Sequence, residues 1–458
     1  MSILTKIGAF FDKKYSCSSI TWKQARAIVL PIIAENIFTV MFGLLNTGMI
    51  SSSGVTSLSA VSLVDTLNNF LFVFFQGIST GASVVIARYR GSKNESMLHE
   101  SSVQSVTVVT LFSTVTAFII VVFHSLLLKL LFGAVEQDIM DKARIYLIGG
   151  AITLPLMGCF NAVCGVLRGI GEGKTSLYMV CFGSLVYVVF NILFLKVLNM
   201  GIKGLIISIA LQRILQLCFA FLMIRKTKSQ FKFKFRELLH VNFPVLKSII
   251  KFGMPCAAEN MFFTAGRLVT QVIIVPMGTY AIASYNIAYS IMILNQGLTS
   301  PVNTSMFTII GICLGNKNVK DARLMAKRYM ILNFFLFILA FGIVFLSLPL
   351  LLSFYNAPQE TVRLITTCLL ISGLAHPVLH TLGFTLPAIF RAAGDGVYCT
   401  VTVLIIMWVV RVFGGLVLGT WCGMGILGVW IAMILDWVVR SVLFPIRFKG
   451  DKWLKDVT

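Results

Sequence analysis

Long apolar runs alternate with short polar, often basic, segments along the whole chain. Runs of twenty or more mostly apolar residues recur between Ala27 and Phe444, and about 20 helical residues cross roughly 30 Å of hydrocarbon. The alternating segments of about ten residues that are typical of membrane barrel strands do not occur. The pattern therefore predicts an all-α integral membrane protein with twelve transmembrane helices. They are predicted at residues 27–50, 58–87, 101–127, 144–167, 177–198, 203–224, 248–275, 281–313, 324–352, 364–390, 400–420 and 425–446.

Short segments of the first half return in the second half at a nearly constant distance. Three pairs lie 224 residues apart: Pro31–Asn36 with Pro255–Asn260, Gly91–Asn94 with Gly315–Asn318, and Met200–Gly204 with Met424–Gly428. Because each half carries six apolar runs, we predict two parallel six-helix bundles related by a pseudo-two-fold axis along the membrane normal. The predicted domains are an N-terminal segment (1–26), the first bundle (27–224), a basic connector (225–247), the second bundle (248–446) and a tail (447–458).

Composition supports a membrane protein and explains the strongly basic charge. Hydrophobic residues make up 57% of the chain and charged residues 12%, and the mean hydropathy is +0.91. Of the 38 Lys and Arg residues, 28 fall in the N-terminal segment and in segments on its predicted side, six in the opposite loops, and four inside helices. This positive-inside asymmetry predicts a protein of the cell membrane with both termini on the cytoplasmic side. The net charge of +21 therefore indicates contact with lipid headgroups rather than with nucleic acid.

Several segments occur in order and in duplicate: Leu30-Pro31 and Gly253-Met-Pro255 at the openings of the halves, Gly77-Ile-Ser-Thr-Gly81, and Leu167-Arg168-Gly-Ile-Gly171 with Phe390-Arg391-Ala-Ala-Gly394. Together they resemble the multidrug and toxic compound extrusion (MATE) family of cation-coupled antiporters. The resemblance implies export of amphipathic, often cationic, drugs or metabolites against H⁺ or Na⁺ by alternating access. It also carries departures, since Asn46-Thr47 replaces a common Asp-Thr and the acids of the sodium-coupled branch are missing near Phe263, Thr264 and His380. The coupling ion is therefore predicted to be either H⁺ or Na⁺.

Glu35 and Glu259 are the first candidates for ion coupling, each followed by an asparagine, Asn36 and Asn260. Each acid falls deep in the first helix of its half, where an isolated charge costs about 2.5–3.5 kcal/mol or more. A carboxyl group there can bind and release a proton or coordinate Na⁺ as the transporter alternates. The structural alternative is a protonated or asparagine-paired carboxyl group that holds the helix in place where Pro31 or Pro255 distorts it.

Other polar side chains within the apolar runs complete the predicted site. Asp65 either guides cations or complements a helix N-terminus. Gln76 and Gln296 occupy equivalent helices and either bind substrate or join helices by hydrogen bonds. His380 either relays protons or packs between helices.

The charged residues of the last helices are interpreted as structural. Asp436 and Arg440 have the spacing of an ion pair on one helix face, Arg411 is predicted to cap neighbouring carbonyl groups, and Arg391 to belong to a charged turn at a helix end.

The sequence contains no nucleophile, metal-ligand or carboxylate constellation typical of an enzyme. We therefore predict a monomeric transporter that needs no cofactor or metal besides its coupling ion, with a small-molecule substrate and membrane lipid as partners. The alternative function is a flippase for lipid-linked precursors, a class that tends to have a cationic central cavity. The intramembrane arginines look scattered in the sequence, which favours the antiporter.

Overall fold

The computed structural model describes residues 12, 14–51, 55–132, 137–226, 237–238, 241–355 and 359–454. Within these ranges the chain is helical and forms no strand. Ten helices are long and apolar enough to cross a membrane, and the count reaches twelve when each of two bent helix pairs is taken as one span. The predicted all-α multi-pass membrane protein is therefore confirmed.

The described residues form two compact units. The N unit comprises Leu30–Ala257, and the C unit comprises the described residues of Met1–Val29 and of Ala258–Thr458. Six helices begin in the first repeat: α1 (Trp22–Ser51), α2 (Val55–Gly91), α3 (Glu95–Phe132), α4 (Gln137–Ile152 and Leu154–Ile170), α5 (Gly173–Asn191, continued by Ile192–Val197) and α6 (Gly201–Lys226). Each overlaps a predicted helix, and all six begin earlier than predicted because polar residues join their first turns.

The second repeat begins with α7, and its helices are less regular. They are α7 (Phe243–Ile274), α8 (Thr279–Gln296 and Ser300–Gly315), α9 (Val319–Leu346, followed by the short Leu348–Phe354), α10 (Gln359–Ala375, His376–Thr385 and Leu386–Ala392), α11 (Gly396–Ile406, continuing to Trp421) and α12 (Gly425–Lys449). The two segments of α4 are bent by 47°, and those of α8 by 41°. Pro155 and Pro301 lie in the first turn after each bend, where a missing N–H is tolerated.

The boundaries between the units lie inside α1, after Val29, and inside α7, after Ala257, whereas the sequence predicts the boundary between the bundles at the connector, residues 225–247. The first half of α7 packs closely on α2 within the N unit. A Cβ atom added to Gly81 would lie 2.2 Å from the Cα of Gly253, and one added to Gly77 would lie 2.4 Å from the Cα of Ala257. The glycines of the resembling motif therefore allow the two helix backbones to touch.

Residues before α1 pack on the C unit. The Asp321 carboxylate in the first turn of α9 accepts hydrogen bonds from the hydroxyl groups of Ser18 and Ser19, both 2.7 Å, and from the Ser19 N–H, 2.8 Å. Most of the predicted basic connector lies outside the described residues. Of its described part, Glu237 contacts His99 at 3.2 Å, which attaches this segment to α3.

Candidate functional site

A cavity of about 320 Å³ lies within the C unit and is bordered by α7, α8, α10, α11 and α12. Its size falls at the lower end of the range for small-molecule sites. Charged and amide side chains share its wall with aromatic rings. The lining residues are Glu259, Asn260, Phe263, Tyr289, Met292, Gln296, Ser300, Asn303, Thr304, Phe307, His380, Phe384, Ala388, Arg391, Arg411, Trp437 and Arg440.

Glu259 forms an ion pair at the edge of this cavity. Its Oε1 lies 3.2 Å from Nη2 of Arg391, and both side chains are 12% exposed. Its Oε2 is buried and has no hydrogen-bond partner among the described residues. The Arg391 guanidinium therefore balances the charge of this carboxylate through only one of its two oxygens. The sequence places Arg391 in a charged turn, but the structure places it in the last turn of α10, within reach of α7.

Arg411 and Arg440 line the same cavity in contrasting states. Arg440 donates from Nε to Oδ1 of Asp436 at 2.7 Å and from Nη2 to Oδ2 at 3.1 Å, so the predicted ion pair is confirmed. The Arg411 side chain is only 1% exposed, yet its Nε and Nη2 have no hydrogen-bond partners among the described residues. At these two atoms the predicted capping of carbonyl groups does not occur.

Each of the three arginines lies over a phenylalanine ring. The guanidinium carbon of Arg391 is 5.7 Å from the ring centroid of Phe307. The corresponding distances are 5.4 Å from Arg411 to Phe263 and 5.0 Å from Arg440 to Phe384. Such cation–π contacts favour a weakly hydrated guanidinium group inside a partly apolar cavity. The aromatic residues therefore help to keep the positive charges at the cavity wall.

Irregular helix geometry brings two of these side chains to the cavity. α10 is π-helical from His376 to Thr385, and α11 is π-helical from Met407 to Phe413. π-Helical turns are rare and occur frequently at functional sites. A π-helical turn rotates the following residues relative to an α-helix, so His380 and Arg411 reach positions that 3.6-residue periodicity does not predict.

His380 packs among aromatic rings and is 5% exposed. Its ring stacks on Phe384 with a centroid distance of 4.0 Å and an interplanar angle of 9°. His376 contacts Asn295, with 3.2 Å between its Nδ1 and the amide nitrogen. Nδ1 of His380 has no hydrogen-bond partner among the described residues. His380 thus lies at the wall of the cavity with one ring nitrogen available.

Amide side chains complete the wall. Oδ1 of Asn303 accepts hydrogen bonds from Nδ2 of Asn333 at 3.1 Å and from Oγ1 of Thr385 at 2.8 Å. Because both bonds engage the oxygen, the amide nitrogen of Asn303 is available to donate. Gln296 is the last residue before the bend of α8, and Asn260 follows Glu259 on α7.

The remaining predicted site residues belong to the N unit. Glu35 on α1 is half-buried and accepts a hydrogen bond from the Ser176 hydroxyl at 3.1 Å. Asn36 follows it and is also half-buried. Gln76 lies in the unbroken part of α2, where its backbone carbonyl accepts a hydrogen bond from Thr80. Asp65 accepts hydrogen bonds from the Tyr146 hydroxyl at 2.9 Å and from Asn68 at 3.4 Å. It lies well past the first turn of α2, so it does not complement that helix N-terminus.

The structure thus brings four of the eight predicted residues, Glu259, Asn260, Gln296 and His380, to one cavity. Sequence reasoning missed Arg391, Arg411 and Arg440 as members of this site. The available signal was the burial of arginines in apolar helices, but their convergence depends on helix packing. Among the described residues, no group of three or more His, Cys, Asp and Glu side chains is placed to hold a metal ion.

Comparison with known proteins extends over almost the whole chain. The uncharacterized transporter YisQ of Bacillus subtilis is 25% identical, with 97% of this chain and 96% of that protein covered. The probable multidrug resistance protein NorM of Thermotoga maritima is 23% identical, with 94% of this chain and 93% of that protein covered. A Pyrococcus furiosus transporter of the MOP superfamily, described as having a binding pocket of reverse polarity, has the same fold. Its TM-score is 0.84 at 17% identity, with 94% of this chain and 96% of that chain covered.

The MatE family model matches the chain twice, at residues 31–193 and 255–417. The two matches begin 224 residues apart, which is the offset of the internal repeat, so the predicted duplication is confirmed. Together they cover more than half of the sequence. The chain therefore belongs to the MatE family, and the predicted resemblance to MATE transporters is confirmed.

Proposed function

We propose that the protein is a secondary antiporter that exports amphipathic drugs or metabolites in exchange for H⁺ or Na⁺ by alternating access. Membership of the MatE family and the name of the NorM relative, a probable multidrug resistance protein, support export. The single observation that carries ion coupling is the Glu259–Arg391 pair at the C-unit cavity. A carboxylate that lies at a cavity wall and pairs with its arginine through one oxygen only is suited to exchange that arginine for an ion.

The coupling follows from competition for one carboxylate. A proton or Na⁺ that binds Glu259 weakens its attraction to Arg391, because the charge of the carboxylate is then already neutralised. Ion binding shifts the balance between outward-open and inward-open states only if the ion has different affinities for them. We propose that the intact pair belongs to one of these states and the separated pair to the other. Glu35 is the second candidate for this role.

The proposed cellular setting is the cell membrane, with both termini cytoplasmic and the protein acting as a monomer among lipids without a nucleic-acid partner. The excess of Lys and Arg on one side supports this orientation. Cys422 offers a test, because it is exposed and lies between α11 and α12. A membrane-impermeant maleimide added to intact cells is expected to label Cys422 in an otherwise cysteine-free protein. A cysteine at Lys93, between α2 and α3, is expected to react only after the cells are opened, and labelling with the opposite sidedness contradicts the orientation.

Transport is tested in proteoliposomes that carry either a pH gradient or a Na⁺ gradient. Efflux of a cationic dye, ethidium, and of an anionic dye, fluorescein, is followed for the wild type, Glu259→Gln and Glu360→Gln. Glu360 is an exposed acid of the C unit at the start of α10 and serves as the matched control. One of the gradients is expected to accelerate efflux of at least one dye for the wild type and Glu360→Gln only. Failure of both gradients to accelerate either dye refutes the antiporter proposal.

A flippase for lipid-linked precursors is the second candidate function. The convergence of Arg391, Arg411 and Arg440 on one cavity favours it, because the same residues look scattered in the sequence. The Pyrococcus furiosus transporter, which shares the fold, is described as having a binding pocket of reverse polarity. Gradient-independent movement of a lipid-linked phosphate, without dye transport, supports this candidate over the antiporter.

A further inference from the structure

We propose that the C-unit cavity binds an oxyanion of the cargo, a carboxylate, sulfonate or phosphate group, on the free edge of Arg411. This inference rests on the proposed export function and names the charge class of its substrates. It departs from the cationic cargo that the family resemblance implies. The cavity wall carries three arginines and one carboxylate, Glu259. Even with Asp436, which pairs with Arg440 behind the wall, the cations outnumber the acids by three to two.

The free edge of Arg411 is the strongest single observation. Nε and Nη2 of a guanidinium group form a planar fork that matches the two oxygens of an oxyanion. In Arg440 this fork is filled by Asp436 at 2.7 Å and 3.1 Å. In Arg411 the same two atoms are buried without hydrogen-bond partners. The side chains that act on Arg411 electrostatically are Tyr285, Tyr289 and Asp436, and the carboxylate among them, Asp436, is already engaged by Arg440. Buried donors of a charged group are costly to leave unpaired, so the site is incomplete without an acceptor.

Neighbouring groups extend the binding site beyond the fork. Nδ1 of His380 is a further unpartnered polar atom at the wall, on a side chain that is 5% exposed. The amide nitrogen of Asn303 is available to donate a further hydrogen bond. The rings of Phe263, Phe307 and Phe384 supply apolar surface next to each arginine. A charged donor fork bordered by aromatic rings suits an aromatic or alkyl compound that ends in an oxyanion.

A cationic group is the poorer occupant of this cavity. It would meet the charge of Arg411, and the carboxylate that could offset this charge, Glu259, is already paired with Arg391 through Oε1. Juxtaposed like charges in a poorly solvated site repel strongly. A cation would bind well only after separating Glu259 from Arg391, which would leave a second arginine without its counterion.

The test is equilibrium binding to the full-length protein in phosphatidylcholine nanodiscs, with no ion gradient present. The probes are tritiated naphthaleneacetate and naphthylmethylammonium, which share a ring system and differ in charge. The wild type is expected to prefer the anion. Arg411→Gln is expected to weaken anion binding about 10- to 100-fold, because a charge-assisted pair is lost. Arg411→Lys is expected to weaken it less, since lysine keeps the charge but lacks the fork.

Arg323→Gln is the matched control, because Arg323 is a partly exposed C-unit arginine that pairs with Asp451 outside the cavity. Its affinity for naphthaleneacetate is expected to equal that of the wild type. Size-exclusion elution and thermal unfolding show which variants fold. If Arg411→Gln does not fold, the anion affinity of Arg411→Lys decides the test. Tighter binding of the cation by the wild type overturns the proposal, as does unchanged anion affinity in folded Arg411→Gln.

A lipid headgroup and a free organic anion share the same chemistry, and a second arm separates them. The binding assay is repeated in phosphatidylglycerol nanodiscs. If a lipid phosphate occupies the fork, the difference between the wild type and Arg411→Gln disappears in these discs, whereas it persists if the natural ligand is a free anion. Anion binding without gradient-driven transport would contradict the antiporter proposal but support anion binding at Arg411. Binding of the cation alone, with gradient-driven transport intact, would contradict anion binding at Arg411 but support the antiporter proposal.

Discussion

Equivalent polar positions of the two repeats have different side-chain partners. Glu259 in the C unit pairs with the Arg391 guanidinium, whereas Glu35, 224 residues earlier, accepts a hydrogen bond from the Ser176 hydroxyl. Asp436 and Arg440 form a buried ion pair on α12. The residues 224 positions before them are Gln212 and Gln216, which form an amide hydrogen bond of 2.6 Å on α6. The C unit thus carries an ion pair at positions 436 and 440, where the N unit carries two neutral amides, whereas Glu35 and Glu259 are acids in both units.

This difference shows which repeat is suited to respond to an ion. A neutral hydrogen bond is worth about 0.5–1.5 kcal/mol net and depends little on ion concentration. An ion pair loses its attraction when a proton or Na⁺ occupies its carboxylate. We therefore propose that the charged pairs of the C unit are the ones that an ion can switch.

The largest effect is expected for Asp436→Asn. This change leaves Arg440 as a buried cation without its carboxylate, and breaking a buried pair in this way costs about 3–5 kcal/mol of stability. The free energy of unfolding, measured by denaturant titration of the reconstituted protein, checks the value. Gln212→Ala is the matched change in the N unit and is expected to cost about 1 kcal/mol. Equal losses in both variants would remove the contrast between the units.

An intermediate effect is expected for Gly81→Ala in the N unit. The added methyl group meets the backbone of Gly253 at 2.2 Å, and a backbone cannot rotate away. Overpacking of this kind costs about 1–3 kcal/mol. Gly342→Ala in α9 is the control, since no atom lies within 4 Å of its added Cβ, and its thermal unfolding temperature is expected to stay constant or rise. A stable Gly81→Ala protein would show that the α2–α7 contact is less close than described.

The smallest effect is expected for Ser176→Ala, which removes the hydrogen bond to Glu35. The expected loss of stability is about 1 kcal/mol, seen as a small decrease in the unfolding temperature, with ion-driven transport unchanged. Loss of ion-driven transport in this variant would assign a coupling role to the N unit and would contradict the proposed difference between the two units.

Much of the fold could be predicted from the sequence because its signals are long and repeated. Apolar runs located the twelve helices, and the Pro31–Asn36 and Pro255–Asn260 segments located the repeat that the family model confirms. The Asp436–Arg440 pair followed from helix spacing alone.

The site was predictable only in part, because its geometry depends on features without a sequence period. The π-helical turns of α10 and α11 change which faces carry His380 and Arg411. Arg391 reaches Glu259 across two helices that are about 130 residues apart in the chain. Hydropathy cannot show such a contact, so the sequence left these arginines as separate structural charges.

The central claim is that the acid of the C unit, and not its equivalent in the N unit, couples transport to an ion. The most direct test compares Glu259→Gln with Glu35→Gln in proteoliposomes, as the ratio of efflux rates with and without the driving gradient. We expect a roughly tenfold stimulation for the wild type and Glu35→Gln, and none for Glu259→Gln. Stimulation that survives in Glu259→Gln and is lost in Glu35→Gln would contradict it.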